Sequence, residues 1–291
     1  PAASAADSGN QEGIFGFGDP GYVSMTNLVS NAGVVGTDVT GVGTGRNNLA
    51  ACEYGGDKGI FGFGDDATQT AVTNLVSNAG VVATDVAGVG YARAALAACG
   101  YGDDKGIFGF GYGGGTFKSM TNLVSNAGVV ATDVAGVGSA RNNLEACEYG
   151  GDKGIFGFGY TGSVTGVTNL VSNAGVVASD VSAVGTARYM GEACSYGGDK
   201  GIFGFGNTGS LTAITNLVSN AGVVASDTAG VGTARSQLAA TQYGGDKGIF
   251  GYGTTGSATA VTNLVSNAGV VATDVSGVGT ARWNLAACSF N

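Results

Sequence analysis

Residues 46–64 read RNNLAACEYGGDKGIFGFG. An arginine opens a run of mostly small residues, the glycine-rich turn YGGDK follows, and GIFGFG then alternates aromatic or branched side chains with glycine. That period of two is the mark of a strand. The wording recurs along the chain: GIFGFG, or GIFGYG in the last copy, begins at Gly13, Gly59, Gly106, Gly154, Gly201 and Gly248. Each copy continues through TNLVSNAGVV, an aspartate and a segment leading to the next arginine. The two ends of the chain share one copy. Residues 13–18 carry its GIFGFG, and residues 282–290, RWNLAACSF, carry the arginine-led run that belongs before it. A repeat completed by the far terminus predicts a closed ring, so residues 1–291 form one domain.

Within a unit the pattern predicts four short antiparallel strands. The first is Arg46–Cys52 and its equivalents; the second is GIFGFG. The third is TNLVS and the fourth VVATDV, joined by an Asn-Ala-Gly turn in which glycine suits the left-handed conformation. Four strands in about 47 residues, six times over, predict an all-β, six-bladed β-propeller whose C-terminal strand pairs within the N-terminal blade. A parallel β-solenoid would also repeat at this length, but it needs atypical capping repeats. Here residues 282–290 form a full first strand, whereas residues 3–10, ASAADSGN, only weakly echo one.

Fifty-seven glycines sit at fixed repeat positions and show no three-residue period, which excludes a collagen-like chain. The net charge of −9, with eleven of twelve basic residues locked to the repeat and only Lys118 outside it, argues against nucleic acid as partner. No apolar run reaches the length of a membrane span. Cys52, Cys99, Cys147, Cys194 and Cys288 share one repeat position with Thr241. An odd set that tolerates threonine reads as small buried residues, not as disulfides or metal ligands.

The order of arginine, small-residue inner strand and glycine-rich turn resembles the kelch repeat of six-bladed propellers. This chain departs from that repeat in its third and fourth strands, where Leu, Val and Ala stand in place of the usual Tyr and Trp. The wording TNLVSNAGVVATDV…GVGTAR is also similar to glycine-rich repeat proteins of bacteriophages. That resemblance implies a virion component, a tail fibre or decoration protein, located on the virion surface. It implies other virion subunits or a host surface glycan as partners, and is compatible with a homo-oligomer. A bacterial surface lectin or a kelch-type protein-interaction module is the alternative.

The chain has no histidine, which removes histidine bases, triads and metal ligands. No cofactor and no metal are expected, and the chain reads as a non-enzyme. A glycan-cleaving enzyme using Asp19, Asp65 and Asp66 is the competing reading. Asp65–Asp66 and Asp103–Asp104 lack the spaced ligand series of a calcium loop. Two further sets recur in every unit: Arg46, Arg93, Arg141, Arg188, Arg235 and Arg282, and Asp38, Asp85, Asp133, Asp180, Asp227 and Asp274. A residue present in all six units reads as a structural ring, the guanidinium bonding carbonyls or aspartates.

Information about binding lies where the repeat varies. The residues after each arginine differ, as do the loops between second and third strands. Alternating strand direction brings both regions to one face, which gathers Tyr22, Tyr91, Tyr112, Phe117, Tyr160, Tyr189, Met190 and Trp283. Exposed aromatics with a polar handle suit glycan or protein binding.

Overall fold

The computed structural model describes residues 11–291; residues 3–10 lie outside that range. The described chain is all-β. It has strands β1 (Glu12–Gly18), β2 (Val23–Val29), β3 (Ala50–Tyr54), β4 (Lys58–Gly62), β5 (Thr73–Val76), β6 (Ala97–Tyr101) and β7 (Lys105–Gly109). There follow β8 (Tyr112–Gly113), β9 (Thr116–Phe117), β10 (Thr121–Val124), β11 (Glu145–Tyr149), β12 (Lys153–Gly157), β13 (Thr168–Val171) and β14 (Glu192–Tyr196). The last six are β15 (Lys200–Gly204), β16 (Thr215–Val218), β17 (Ala239–Tyr243), β18 (Lys247–Gly251), β19 (Thr262–Val265) and β20 (Ala286–Phe290).

These strands make six small antiparallel sheets of three strands and one hairpin, β8–β9. Five sheets are sequential, β3-β4-β5 being typical. The other has the order β2-β1-β20, with Glu12 opposite Phe290 and Gly16 opposite Ala286. The opening strands pack in series, β3 beside β6, then β11, β14, β17 and β20, and β20 lies beside β3. The first unit is therefore assembled from both ends of the chain.

Two strand expectations need correction. The first strand starts at Ala50 rather than Arg46, because the arginine side chain is drawn into the seam between units and the next residues turn with positive φ at Asn48. The fourth strand is not continuous. It touches the third through two isolated bridges, Val76 with Val82 and Thr73 with Val86. Two residues of the third strand (74 and 75) thus face three of the fourth (83 to 85), which is a β-bulge. Its cause is Asn74, whose Nδ2 donates to the Ala83 carbonyl at 3.0 Å and to Asp85 Oδ1 at 2.8 Å. A side chain has taken the place of a ladder amide.

The apolar core is divided among the seams. Ile60 and Phe63 of one unit pack with Leu96, Phe108 and Val124 of the next. The seam between the first two units draws Ile14 and Phe17 from one end of the chain and Ala286, Cys288 and Phe290 from the other. Glycine is needed at these contacts. A Cβ on Gly62 would lie 2.7 Å from Phe108 Cζ, and a Cβ on Gly251 would lie 2.7 Å from Phe15 Cζ. A second close approach explains the cysteine position, since a Cβ on Gly59 would collide with Cys288 Sγ and one on Gly13 would meet Thr241 Cγ2 at 2.7 Å. All five cysteines are buried free thiols.

Truncation after Thr280 removes β20 and with it the wholly buried Phe290. It should cost more than about 5 kcal/mol, comparable with the stability of a whole domain, whereas deletion of residues 1–9 should leave the melting temperature within a few degrees. Equal effects of the two deletions in thermal denaturation would overturn the closure. Gly62→Ala should destabilise by about 1–3 kcal/mol through overpacking against Phe108, measured by urea denaturation.

Candidate functional site

The two variable regions meet in every unit. The residue after each arginine bridges the first residue of the loop following the second strand: Asn47 with Asp65, Ala94 with Tyr112, Asn142 with Tyr160, Tyr189 with Asn207, Ser236 with Thr254 and Trp283 with Asp19. The next residue round makes a closed circle of backbone hydrogen bonds. The Ala95 amide donates to the Asn48 carbonyl, Asn143 to Ala95, Met190 to Asn143, Gln237 to Met190, Asn284 to Gln237 and Asn48 to Asn284, at 2.8–3.0 Å. All six residues have φ between 50° and 58°. A left-handed non-glycine residue costs roughly 1–2 kcal/mol, and the hydrogen bonds of the circle offset that cost. The circle forms a rim, and the side chains of Asn48, Asn143, Met190, Gln237 and Asn284 line the mouth it surrounds.

The aromatic residues distribute unequally around this rim. Tyr112 and Phe117, on the hairpin β8–β9, have ring centroids 5.7 Å apart. Phe117 lies 6.0 Å from Tyr160, and Tyr160 lies 5.5 Å from Tyr189. These four make an unbroken, half-buried arc across the third, fourth and fifth units. Tyr91 belongs at its start: Lys118 Nζ sits 4.5 Å from its ring centroid, and a Cβ on Gly113 would approach its ring at 2.9 Å. Met190 stands beside the arc on the rim. Tyr22 is 41% exposed in the loop of the first unit, where its amide donates to Asp19 Oδ1. Trp283 pairs through its backbone with Asp19. Neither Tyr22 nor Trp283 has a ring contact with the arc.

The repeated arginines and aspartates hold the rim in place from beneath. All six arginines are completely buried. The Arg93 guanidinium lies over the Phe63 ring of the preceding unit at 4.3 Å and donates to the Phe110 and Tyr91 carbonyls and to Asn122 Oδ1. Burial lowers its pKa to about 10, against the pull of Asp133. The aspartates grip the segment leading into their own unit. Asp85 accepts from the Thr44 amide and hydroxyl, and Asp38 accepts from Thr280, which joins the two ends of the chain. Burial raises the Asp85 carboxyl, but hydrogen bonds from Thr44 and Asn74 outweigh it and its pKa is lowered. In the third unit Tyr91 replaces the threonine, so Asp133 keeps the amide contact to this segment without the hydroxyl one, and the aromatic side chain is released to the surface.

The carboxylates of the varying loops are engaged by neighbouring donors, Asp65 and Asp66 by their own loop and Asp19 by a side chain of the next unit. Asp65 Oδ1 accepts from the Ala67 amide, Asp66 Oδ1 accepts from Thr68, and Asp19 Oδ2 accepts from Asn47 Nδ2. Among the described residues no group of three or more His, Cys, Asp or Glu is placed to hold a metal ion. No protein-family model matches the chain, and a comparison with curated proteins gives no match.

Sequence reading passed over the glutamates of the opening strands β3 and β11. Glu148 lies against Glu53, which accepts from Ser289 Oγ at 2.7 Å, and both occupy the space left by Gly100. Burial first, then Glu53, raises the Glu148 pKa. Glu145 is buried against Arg188, and desolvation pushes it up to about 8 despite that arginine. The signal was present as Glu at positions where other units carry Ala, Gly, Ser or Gln.

An acid whose pKa is raised by folding favours the folded state at low pH, and the advantage is lost as pH climbs through the folded value. Stability should therefore fall between about pH 4.5 and pH 8, as Glu145 ionises. The lowered aspartates act in the other direction and account for loss of stability below about pH 4. Glu145→Gln should flatten the alkaline decline in melting temperature. A flat or rising profile from pH 5 to pH 8 in the parent protein would refute the assignment.

Proposed function

We propose that the chain is a six-bladed β-propeller, each sheet with its bridged fourth segment forming a blade, and that it acts as a non-enzymatic virion structural and receptor-binding protein. The cyclic series of opening strands and the circle of rim peptides support the propeller. The observation that carries the binding role is the arc Tyr112–Phe117–Tyr160–Tyr189, placed where the repeat varies and carried by a scaffold that otherwise repeats. Aromatic faces with hydroxyl handles suit the apolar faces and hydroxyl groups of a sugar chain, so the favoured ligand is a host surface glycan. The resemblance of the repeat to phage glycine-rich proteins supports the virion setting. The engagement of Asp19, Asp65 and Asp66 by loop donors favours binding over glycan cleavage.

Phe117→Ala and Tyr189→Ala should each weaken binding of the protein to host surface polysaccharide by about tenfold, the loss of roughly 1–1.5 kcal/mol of aromatic contact, without lowering the melting temperature by more than a few degrees. Unchanged binding in both variants, measured by surface plasmon resonance, would remove the arc from the site. Cleavage products detected by mass spectrometry would replace the binding role with an enzymatic one.

A further inference from the structure

Three departures from the repeat coincide in the third unit. Tyr91 stands where the other units carry Thr44, Ser139, Thr186, Thr233 and Thr280. The loop after the second strand, residues 112–120, is the longest of the six and carries the hairpin β8–β9. Lys118, just past that hairpin, is the one basic side chain outside the repeat-locked positions. The other eleven are closed to a ligand on the variable face. The six arginines are completely buried. Lys58, Lys105, Lys153, Lys200 and Lys247 stand in the turns of the opposite face, each paired with the aspartate that precedes it. Among the described residues no carboxylate lies within ion-pair distance of Lys118. Its backbone is fixed on both sides, the amide donating to the Gly111 carbonyl at 2.8 Å and the carbonyl accepting from the Arg141 amide at 3.2 Å. Alternation along a strand sends Thr116 and Phe117 to opposite sides of the hairpin. Phe117 meets Tyr112 on the side of the arc. On the other side Lys118 Nζ donates to Thr116 Oγ1 at 2.9 Å and lies 4.5 Å from the Tyr91 ring centroid. A Cβ on Gly114 would collide with Tyr91 Oη, so the tyrosine hydroxyl rests against the hairpin turn. Gln69 of the preceding unit is held at the same turn, accepting from the Gly114 amide at 3.3 Å.

We propose that the glycan bound on the arc is acidic, and that a uronic acid carboxylate pairs with Lys118 Nζ where the sugar chain passes from Phe117 over the hairpin to Tyr91. The inference rests on the glycan reading above and narrows it to a chemical class. An ammonium has three donors, and Thr116 engages one of them. The hydroxyls of Thr116 and Tyr91 and the side-chain amide of Gln69 add neutral donors around the same turn. A neutral sugar would leave the ammonium to water, whereas a carboxylate meets it with a charge-assisted hydrogen bond. Local charge favours this in spite of the net charge of −9. The loops at 112–120, 160–167, 207–214 and 254–261 contain no Asp or Glu, so Lys118 is the one charged side chain on the loops that carry the arc. The carboxylates of the surrounding segments are already engaged. Asp133 accepts from the Tyr91 amide through both oxygens and lies 3.9 Å from Arg93 Nη1. Asp65 and Asp66, on the loop that holds Gln69, accept from the Ala67 and Thr68 amides.

Calorimetry on the full chain at neutral pH and low salt tests this with an oligogalacturonate and its methyl ester, which keeps the sugar rings and removes the charge. The acid should bind at least about fivefold more tightly than the ester, the worth of one partly exposed charge pair, and the advantage should shrink in about 0.5 M NaCl as screening sets in. Lys118→Gln should bring the affinity for the acid down to that of the ester in the parent protein. Lys118→Arg should keep most of the advantage, which separates loss of the charge from damage to the hairpin. Lys200→Gln, on the opposite face, should keep all of it; an equal loss there would assign the preference to the overall field of the protein and overturn the proposal. If the acid and the ester bind alike, or Lys118→Gln retains the advantage, the acidic inference fails while the glycan reading survives. If neither oligosaccharide binds, whether or not an oligoglutamate peptide does, both fail.

Discussion

A buried guanidinium at each seam is the constraint on which the rest of this structure depends. An arginine is withdrawn from water at least cost where acceptors meet most of its donors and a flat surface covers it. Here the preceding unit supplies the surface, a phenylalanine or tyrosine ring, and the arginine's own unit supplies acceptors, at Arg93 two carbonyl groups and the asparagine of its third strand. No unit can satisfy its arginine alone. The ring that covers each guanidinium packs in turn on a second ring that fills the seam, as Phe63 does on Phe108, and that second ring needs the glycine backbone of the adjacent sheet at close range. In the third unit the asparagine that accepts from arginine is also the one whose amide group displaces the ladder of the fourth strand.

The sequence made the period, the all-β character and the turns legible, since these are local in origin. GIFGFG could only be a strand packed against close neighbours, and Asn-Ala-Gly could only be a tight turn. The division of one unit between residues 13–18 and 282–290 made the pairing of β1 with β20 legible too. The start of the first strand and the break in the fourth were hidden. Both depend on what a side chain does across several residues, Arg46 entering the seam and Asn74 capturing the Ala83 carbonyl.

The candidate site was legible as a face and opaque as a constellation. Its aromatic residues stand out because they interrupt a repeat, but nothing in their spacing separates Tyr160 and Tyr189, whose rings meet, from Tyr22 and Trp283, which lie apart from the arc. The exchange of Leu for Gly191 is invisible until Glu145, on the neighbouring unit, is seen to fill its space. A substitution and its compensation lie one whole repeat apart in the chain and in contact across a seam.

The peptide circle at the rim has a consequence for how such a surface can diversify. Its bonds are made by main chain, so the side chains standing on it can change without altering the bore of the aperture. The restriction falls on conformation: each position must tolerate a left-handed backbone, which disfavours β-branched residues and excludes proline. The residues present, Asn48, Ala95, Asn143, Met190, Gln237 and Asn284, obey this rule while differing in size and polarity. The rim therefore works as a fixed socket with a restricted alphabet, in which recognition can be rewritten one residue at a time while its diameter stays constant.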